Sequence, residues 1–166
     1  MRRRIVGVDP GLASFGLAVI EGNAVRLVVI RTIKGGGHWA AQDMADRIRR
    51  LTLEAAPLVT GADVLVSEAM SYPRSASSSA KLAAGWAVAL SLAAISGVET
   101  HVVSPQYVRE NTAGRRTGKD DVRRWLERRY GLLEATTPNG GKVPAAQHHH
   151  AWDALAAAHV WRAGAE

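Results

Sequence analysis

"RRRIVGVDPGLASFGLAVIEGN" (Arg2–Asn23) sets two runs rich in Val, Ile, Leu and Ala on either side of a short segment around Asp-Pro-Gly. The first run has the length and composition of a buried strand and closes on a carboxylate, Asp9. An acid at the end of a core strand either shapes a turn or supplies charge to something beyond the strand. The second run continues through "FGLAVIEGN", and Glu-Gly-Asn at its end is a good hairpin turn into "AVRLVVIRTI". Three strands in an antiparallel meander are therefore expected at the start of the chain.

Alternating strand and helix signals follow. In "WAAQDMADRIRRLTLEAAPLV", Met44, Ile48, Leu51 and Ala55 fall at helical spacing, opposite Asp43, Arg47, Arg50 and Glu54. "ADVLVSEA" is another apolar run of strand type, and it too ends in an acid, Glu68. "SYPRSASSS" reads as a polar loop. A helix is expected from about Ala76 to Ser96, closed by Gly97. "ETHVVSP" is a fifth strand, stopped by Pro105. "TGKDDVRRWLERRYG" is a helix, with Thr117 as its cap and Gly131 past its end. "LLEATTPNGGKVPAA" is a loop, and "QHHHAWDALAAAHVWRAG" is a final helix. The order β-β-β-α-β-α-β-α-α, without internal repeat or linker, predicts one α/β domain over 1–166. It would hold a five-stranded mixed sheet, an antiparallel meander plus parallel strands, flanked by helices.

Composition narrows the function. The chain has 166 residues, 47% hydrophobic and 22% charged, which describes a folded protein with a sizeable core. The run Leu82–Ile95 is short for a bilayer and suits a buried helix. The N-terminus lacks the pattern of a secretion signal, and the absence of cysteine excludes disulfides and thiolate metal sites. A cytoplasmic protein is expected. The net charge is +6, and 17 of the 21 cations are Arg, whose planar fork suits phosphate. Such a balance points to a polyanionic partner or to simple solubility.

Ligands of open α/β sheets collect beyond the carboxyl ends of the strands. If the strands ending in Asp9 and Glu68 are parallel neighbours, both acids reach one edge. Asp153 lies in the Ala-rich last helix, with His149 and His150 on its own face. Asp-Pro-Gly is also a common turn sequence, and Glu68 could cap a loop. Asp153 resists such an explanation, because burying an unpaired carboxylate costs several kcal/mol. Three carboxylates and an imidazole on one spot call for divalent cations, and hard oxygen donors select Mg²⁺ or Mn²⁺. Two such ions are the usual device for displacement at a phosphodiester.

These residues carry a resemblance. "GVDPGLASFGLAVIE" is similar to the first motif of the RuvC family of Holliday junction resolvases, and "VLVSEAM" to its second. "SPQYVRENTAGRRTGKDDVRRWL" resembles the family's third segment, and "HHHAWDALAAAHV" its closing helix. The resemblance implies an RNase H-like fold, a homodimer, and Mg²⁺-dependent paired nicking of four-way DNA junctions, with two ions per site and Mn²⁺ a plausible substitute. It assigns Asp9, Glu68, His150 and Asp153 as the catalytic and metal-binding set. Asp9 would bridge the two metals, and Glu68 and Asp153 would each help hold one. His150 would suit Mn²⁺ or help activate water, with His149 the alternative one register away. A branch-migration motor is a possible partner.

The chain departs from the family where an aromatic wedge is usual. Ser71 stands there and Tyr72 follows, so Tyr72 is the candidate for stacking on an unpaired base. Arg109 replaces the family's Lys. Arg109, Arg115, Arg116 and Lys119 are the expected phosphate contacts, with Arg74 and Lys81 near the wedge loop. Arg123, Arg124, Arg128 and Arg129 are expected on a solvated face beside Asp120, Asp121 and Glu127. The helix within "SSAKLAAGWAVALSLAAISG" is apolar nearly all round and is the expected dimer surface. The competing readings are a less selective nuclease on forks, flaps or hybrids, and a protein that binds branched DNA without cutting it. An actin-like nucleotide-binding domain is disfavoured, since 166 residues leave no room for a second lobe.

Overall fold

In the computed structural model, residues 3–35, 40–69 and 75–165 are described. Tyr72 and Arg74 lie outside them. The strands are β1 (Arg4–Asp9), β2 (Ser14–Glu21), β3 (Ala24–Arg31), β4 (Val64–Glu68) and β5 (Glu99–Val103). The helices are α1 (Ala40–Val59), α2 (Ala76–Ile95), α3 (Pro105–Glu110), α4 (Lys119–Tyr130) and α5 (His148–Ala165), the last entered through a 3₁₀ turn at Ala145–Gln147. The sheet order is β3-β2-β1-β4-β5. β1 pairs antiparallel with β2, and β2 with β3, while β1, β4 and β5 run parallel. The expected meander and mixed five-stranded sheet are both present.

Alternation along the strands separates two cores. Ile5, Ala18, Ile20, Val64 and Val66 pack with Ala154, Leu155 and Ala158 of α5 and with Val122 and Leu126 of α4. Val6, Val8, Leu17, Val19 and Leu65 face Leu51, Ala55 and Leu58 of α1 and Val88, Ala89 and Leu92 of α2. The free side of β3 is partly covered by the loop after α4, where Thr136 bridges Val28 and donates its N–H to the Leu27 carbonyl. That pairing occupies backbone groups an edge strand would otherwise expose.

Two glycines bring α5 unusually close to the sheet. A Cβ on Gly7 would lie 1.9 Å from the Ala154 carbonyl oxygen, and one on Gly16 would lie 2.1 Å from that of His150. No larger residue fits either position without displacing the helix. α5 itself is rich in Ala where it meets β1, β2 and β4, so its backbone rides directly on the strands.

The structure corrects four local expectations. On α1, Asp43 and Arg47 turn inward with Leu51 and Ala55, and Met44 and Ile48 are only partly buried. The two charges can be buried because they pair with each other and with polar groups after β3. The cap of α4 is Gly118: Asp121 accepts its N–H at 2.9 Å, while the Thr117 hydroxyl bonds back to the Gly114 carbonyl. A short helix, α3, stands where the sequence suggested only the end of a strand. Ser104 caps it and Pro105 begins it, a pairing that favours a helix start. Finally, α2 runs for 20 residues and is long and apolar enough to cross a membrane by composition. Here one face of it, through Gly85, Val88, Ala89, Leu92 and Ala93, is part of the core.

Candidate active site

Asp9 ends β1 and Glu68 ends β4, and the register Val8 to Ser67 places the two strand ends side by side. Odd positions of β1 and even positions of β4 face α5, so both acids emerge on the side where that helix lies. Asp153 sits near the start of α5, over the same edge. The close approach at Gly16, the residue opposite Asp9 in the β1–β2 pair, fixes the height of His150 above the sheet. His150 Nδ1 then lies 2.7 Å from Asp9 Oδ2 and donates to it. The Ser14 hydroxyl donates to Gln147 Oε1 at 2.5 Å, tying the start of β2 to the residue before α5.

The structure separates the two candidate histidines. The His149 ring stacks near His150, with centroids 4.0 Å apart, but its Nδ1 donates to the Ala146 carbonyl. His150 is the one of the two bonded to Asp9, while His149 acts on Asp153 through its charge alone. His148 is tied to the Val143 carbonyl through Nε2.

Lys119, at the first position of α4, forms an ion pair with Asp153 Oδ2. A cleft beside it is lined by Glu68, Arg109, Lys119 and Asp153, with Pro105, Val108, Val122 and Ala156 as apolar walls. Two of the cations expected to touch DNA thus stand inside the acid cluster. Arg115 lies farther out, hydrogen-bonded to Glu110 at 2.7 Å, and Arg116 and Lys81 are exposed. Arg123 and Arg124 pair with Glu127 and Asp121 on the outer face of α4, as expected.

The electrostatics are those of crowded carboxylates. Burial, followed by the negative charge of Asp153, pushes Glu68 up to about 7, against the opposing pull of Lys119 and Arg109. Burial also raises Asp153, although the Lys119 hydrogen bond works the other way. Burial acts to lower the Lys119 ammonium, yet its bond to Asp153 and the charges of Asp153, Glu68 and Asp9 outweigh that and raise it. The acids thus repel one another, and a lysine supplies part of the compensating charge.

No three acid or histidine side chains among the described residues are gathered closely enough to form a metal cage. Asp9 is engaged by His150 and Asp153 by Lys119. The donor set still fits a hard divalent cation: the Glu68 and Asp153 carboxylates line one cleft, and burial together with the charge of Asp153 disfavours a bare Glu68 carboxylate that has no cation beside it.

No protein-family model matches the chain. A crossover junction endodeoxyribonuclease RuvC from Corynebacterium efficiens is 29% identical over 165 residues, covering 96% of this chain and 70% of the relative. The RuvC of T. thermophilus in complex with a Holliday junction substrate matches in fold with a TM-score of 0.72 and 21% identity, over 95% of this chain and 91% of the other. A second Thermus thermophilus RuvC structure gives the same TM-score at 23% identity, over 97% and 96% of the two chains. The yeast mitochondrial Holliday junction resolvase Ydc2 matches at 0.63 and 16%, over 96% of this chain and 77% of the other. The likeness to the RuvC family read from the four motifs therefore holds in sequence over nearly the whole chain, and in the fold that carries those motifs.

Proposed function

We propose that the protein is an endodeoxyribonuclease that resolves four-way DNA junctions by paired, symmetric, metal-dependent nicks. The observation that carries this reading is the placing of three acids within electrostatic reach of one another at one sheet edge: Glu68 and Asp153 line a cleft with Lys119 and Arg109, and Asp9, bonded to His150, acts on Glu68 through its charge. A protein that only binds DNA gains nothing from carboxylates facing phosphate. The relatives in sequence and fold, named for crossover or Holliday junctions, support the same substrate.

Asp9, Glu68 and Asp153 would hold Mg²⁺, with Mn²⁺ a substitute. Bound there, the ions would supply an activated water and stabilise the departing 3′ oxygen. The chain's own residues do the rest. His150, held on Asp9, orients that carboxylate and is placed to take a proton at the attacking side. Lys119 holds Asp153; a cation held by that carboxylate would take over its charge and leave the ammonium free to turn to a non-bridging phosphate oxygen. Arg109 lines the same cleft and neutralises the approaching backbone. Arg115, Arg116 and Lys81 are the proposed outer phosphate contacts, and Tyr72 and Arg74, outside the described residues, are proposed DNA contacts from the sequence alone.

Two equivalent cuts in a symmetric junction ask for a two-fold protein. The outer side of α2 is the proposed dimer face: Ala83, Ala87, Ala94 and Ile95 stand exposed on it. The deciding experiment is cleavage of an end-labelled immobile junction beside matched duplex, fork and flap, with Mg²⁺, with Mn²⁺ and with chelator. Symmetric paired nicks in the junction alone establish the reading. Cutting spread over forks and flaps refutes the selectivity, and tight binding without cutting under either metal refutes the enzyme.

A further inference from the structure

The turn Pro10–Ala13 connects Asp9 to β2, and it is held by more than its own hydrogen bonds. Thr32, one residue past β3, donates its N–H to the Ala13 carbonyl at 3.0 Å and its hydroxyl to the Leu12 carbonyl at 2.5 Å. A hydroxyl has a single proton, so Thr32 Oγ1 acts only as an acceptor towards any third group. Arg47 supplies that group, donating Nε–H to Oγ1 at 2.8 Å. Arg47 Nη1 lies 3.5 Å from Asp43 Oδ2, and Asp43 Oδ1 accepts the Gly35 N–H at 2.6 Å. All three side chains are buried. From the other direction α2 presses on the same turn, where a Cβ on Gly85 would lie 2.9 Å from the Pro10 carbonyl oxygen.

A buried ion pair is a poor device for stability, because desolvation offsets most of its attraction. An apolar pair would hold α1 to the sheet as well. An apolar pair cannot orient a hydroxyl. Asp43 accepts from both Gly35 and Arg47, Arg47 donates onward to Thr32, and Thr32 donates to Leu12: Arg47 occupies the hydroxyl's acceptor side and leaves its proton for Leu12. We propose that Thr32, oriented by Arg47 and Asp43, is a positioning residue for the catalytic turn. It fixes the backbone of Leu12 and Ala13, and through them the place of Asp9 against Glu68 and Asp153. The inference rests on the proposed nuclease reading for its effect on rate, but not for its effect on the turn.

Thr32→Val removes the hydroxyl with little change of shape, and Thr32→Ser restores it. The paired change Asp43→Asn with Arg47→Met leaves the hydroxyl but removes what orients it. Each protein is compared in melting temperature, junction affinity, single-turnover cleavage, and hydrogen exchange of residues 10–14 by mass spectrometry. Thr32→Val is expected to cleave about tenfold more slowly, as a small misplacement of a reacting group does. Its junction affinity should stay within about twofold, and exchange should rise in the turn but not in β4 or α5. Thr32→Ser should return both readouts, and the double variant should fall between. Unchanged rate and unchanged exchange in a folded Thr32→Val overturn the proposal. So does a loss spread over the whole protein, or one that serine does not repair. If the wild-type protein cuts no junction, the nuclease reading fails, while the exchange comparison still decides whether Thr32 holds the turn.

Discussion

Replacing Glu68 with Gln should stabilise the metal-free protein at alkaline pH and do little in acid. In the folded chain burial and Asp153 raise this carboxyl from an ordinary 4.5 to about 7. Between those values the folded state holds a proton that the unfolded chain has lost. Stability therefore falls as pH rises through that window, and above it the full penalty applies. A shift of this size corresponds to about 3 kcal/mol at 1.36 kcal/mol per unit. Partial solvent contact and coupling to Asp153 reduce the expected effect to about 2 kcal/mol. For a chain of this length that is a rise of about 4–8 °C in melting temperature for Glu68→Gln. The assay is thermal unfolding followed by circular dichroism in chelator, for wild type and variant, at about pH 4, 6 and 8. The variant should gain progressively with pH. Millimolar Mg²⁺ should then favour the wild type, because only the carboxylate gains a cation. A difference independent of pH, or a variant less stable than wild type at the alkaline end, would show that Glu68 is not crowded by the acids around it.

Asp9→Asn and Asp153→Asn should each abolish cutting while junction binding stays equal or tightens, since less negative charge faces phosphate; a folded variant that no longer binds would refute the assignment. Gly16→Ala should destabilise by about 2–3 kcal/mol in urea titration, because its Cβ meets the His150 carbonyl oxygen, and cleavage should fall with it. Lys119→Ala or Arg115→Ala should weaken junction binding and flatten its salt dependence by about one unit for each phosphate left without its cation, as read by binding isotherms over a range of salt. Ile95→Asp should shift the protein from dimer to monomer in sedimentation at micromolar concentration, where a monomeric wild type would remove α2 as the interface.

Much of the architecture was legible because strand signals are local. The apolar runs ending in Asp9 and Glu68 could form only short strands, and the alternation within them decides which face each acid takes. Gly7 and Gly16 could not be read in the same way: what they permit is the approach of a helix about 140 residues later in the chain. The inward turn of Asp43 and Arg47 was also illegible. A charged pair at helical spacing normally marks a solvated face, and only Thr32 and Gly35, in the segment after β3, give these charges the partners that make burial tolerable.

The sequence by itself determined the order of strands and helices, the acids at the strand ends, and an Asp in a helix too rich in Ala to leave it on an open surface. Tertiary structure decided which of two histidines meets Asp9, since that depends on where α5 comes to rest on Gly16. It also decided that Lys119 neutralises Asp153, 34 residues away. Charges attract over distances set by the fold, and periodicity along a chain carries no record of them.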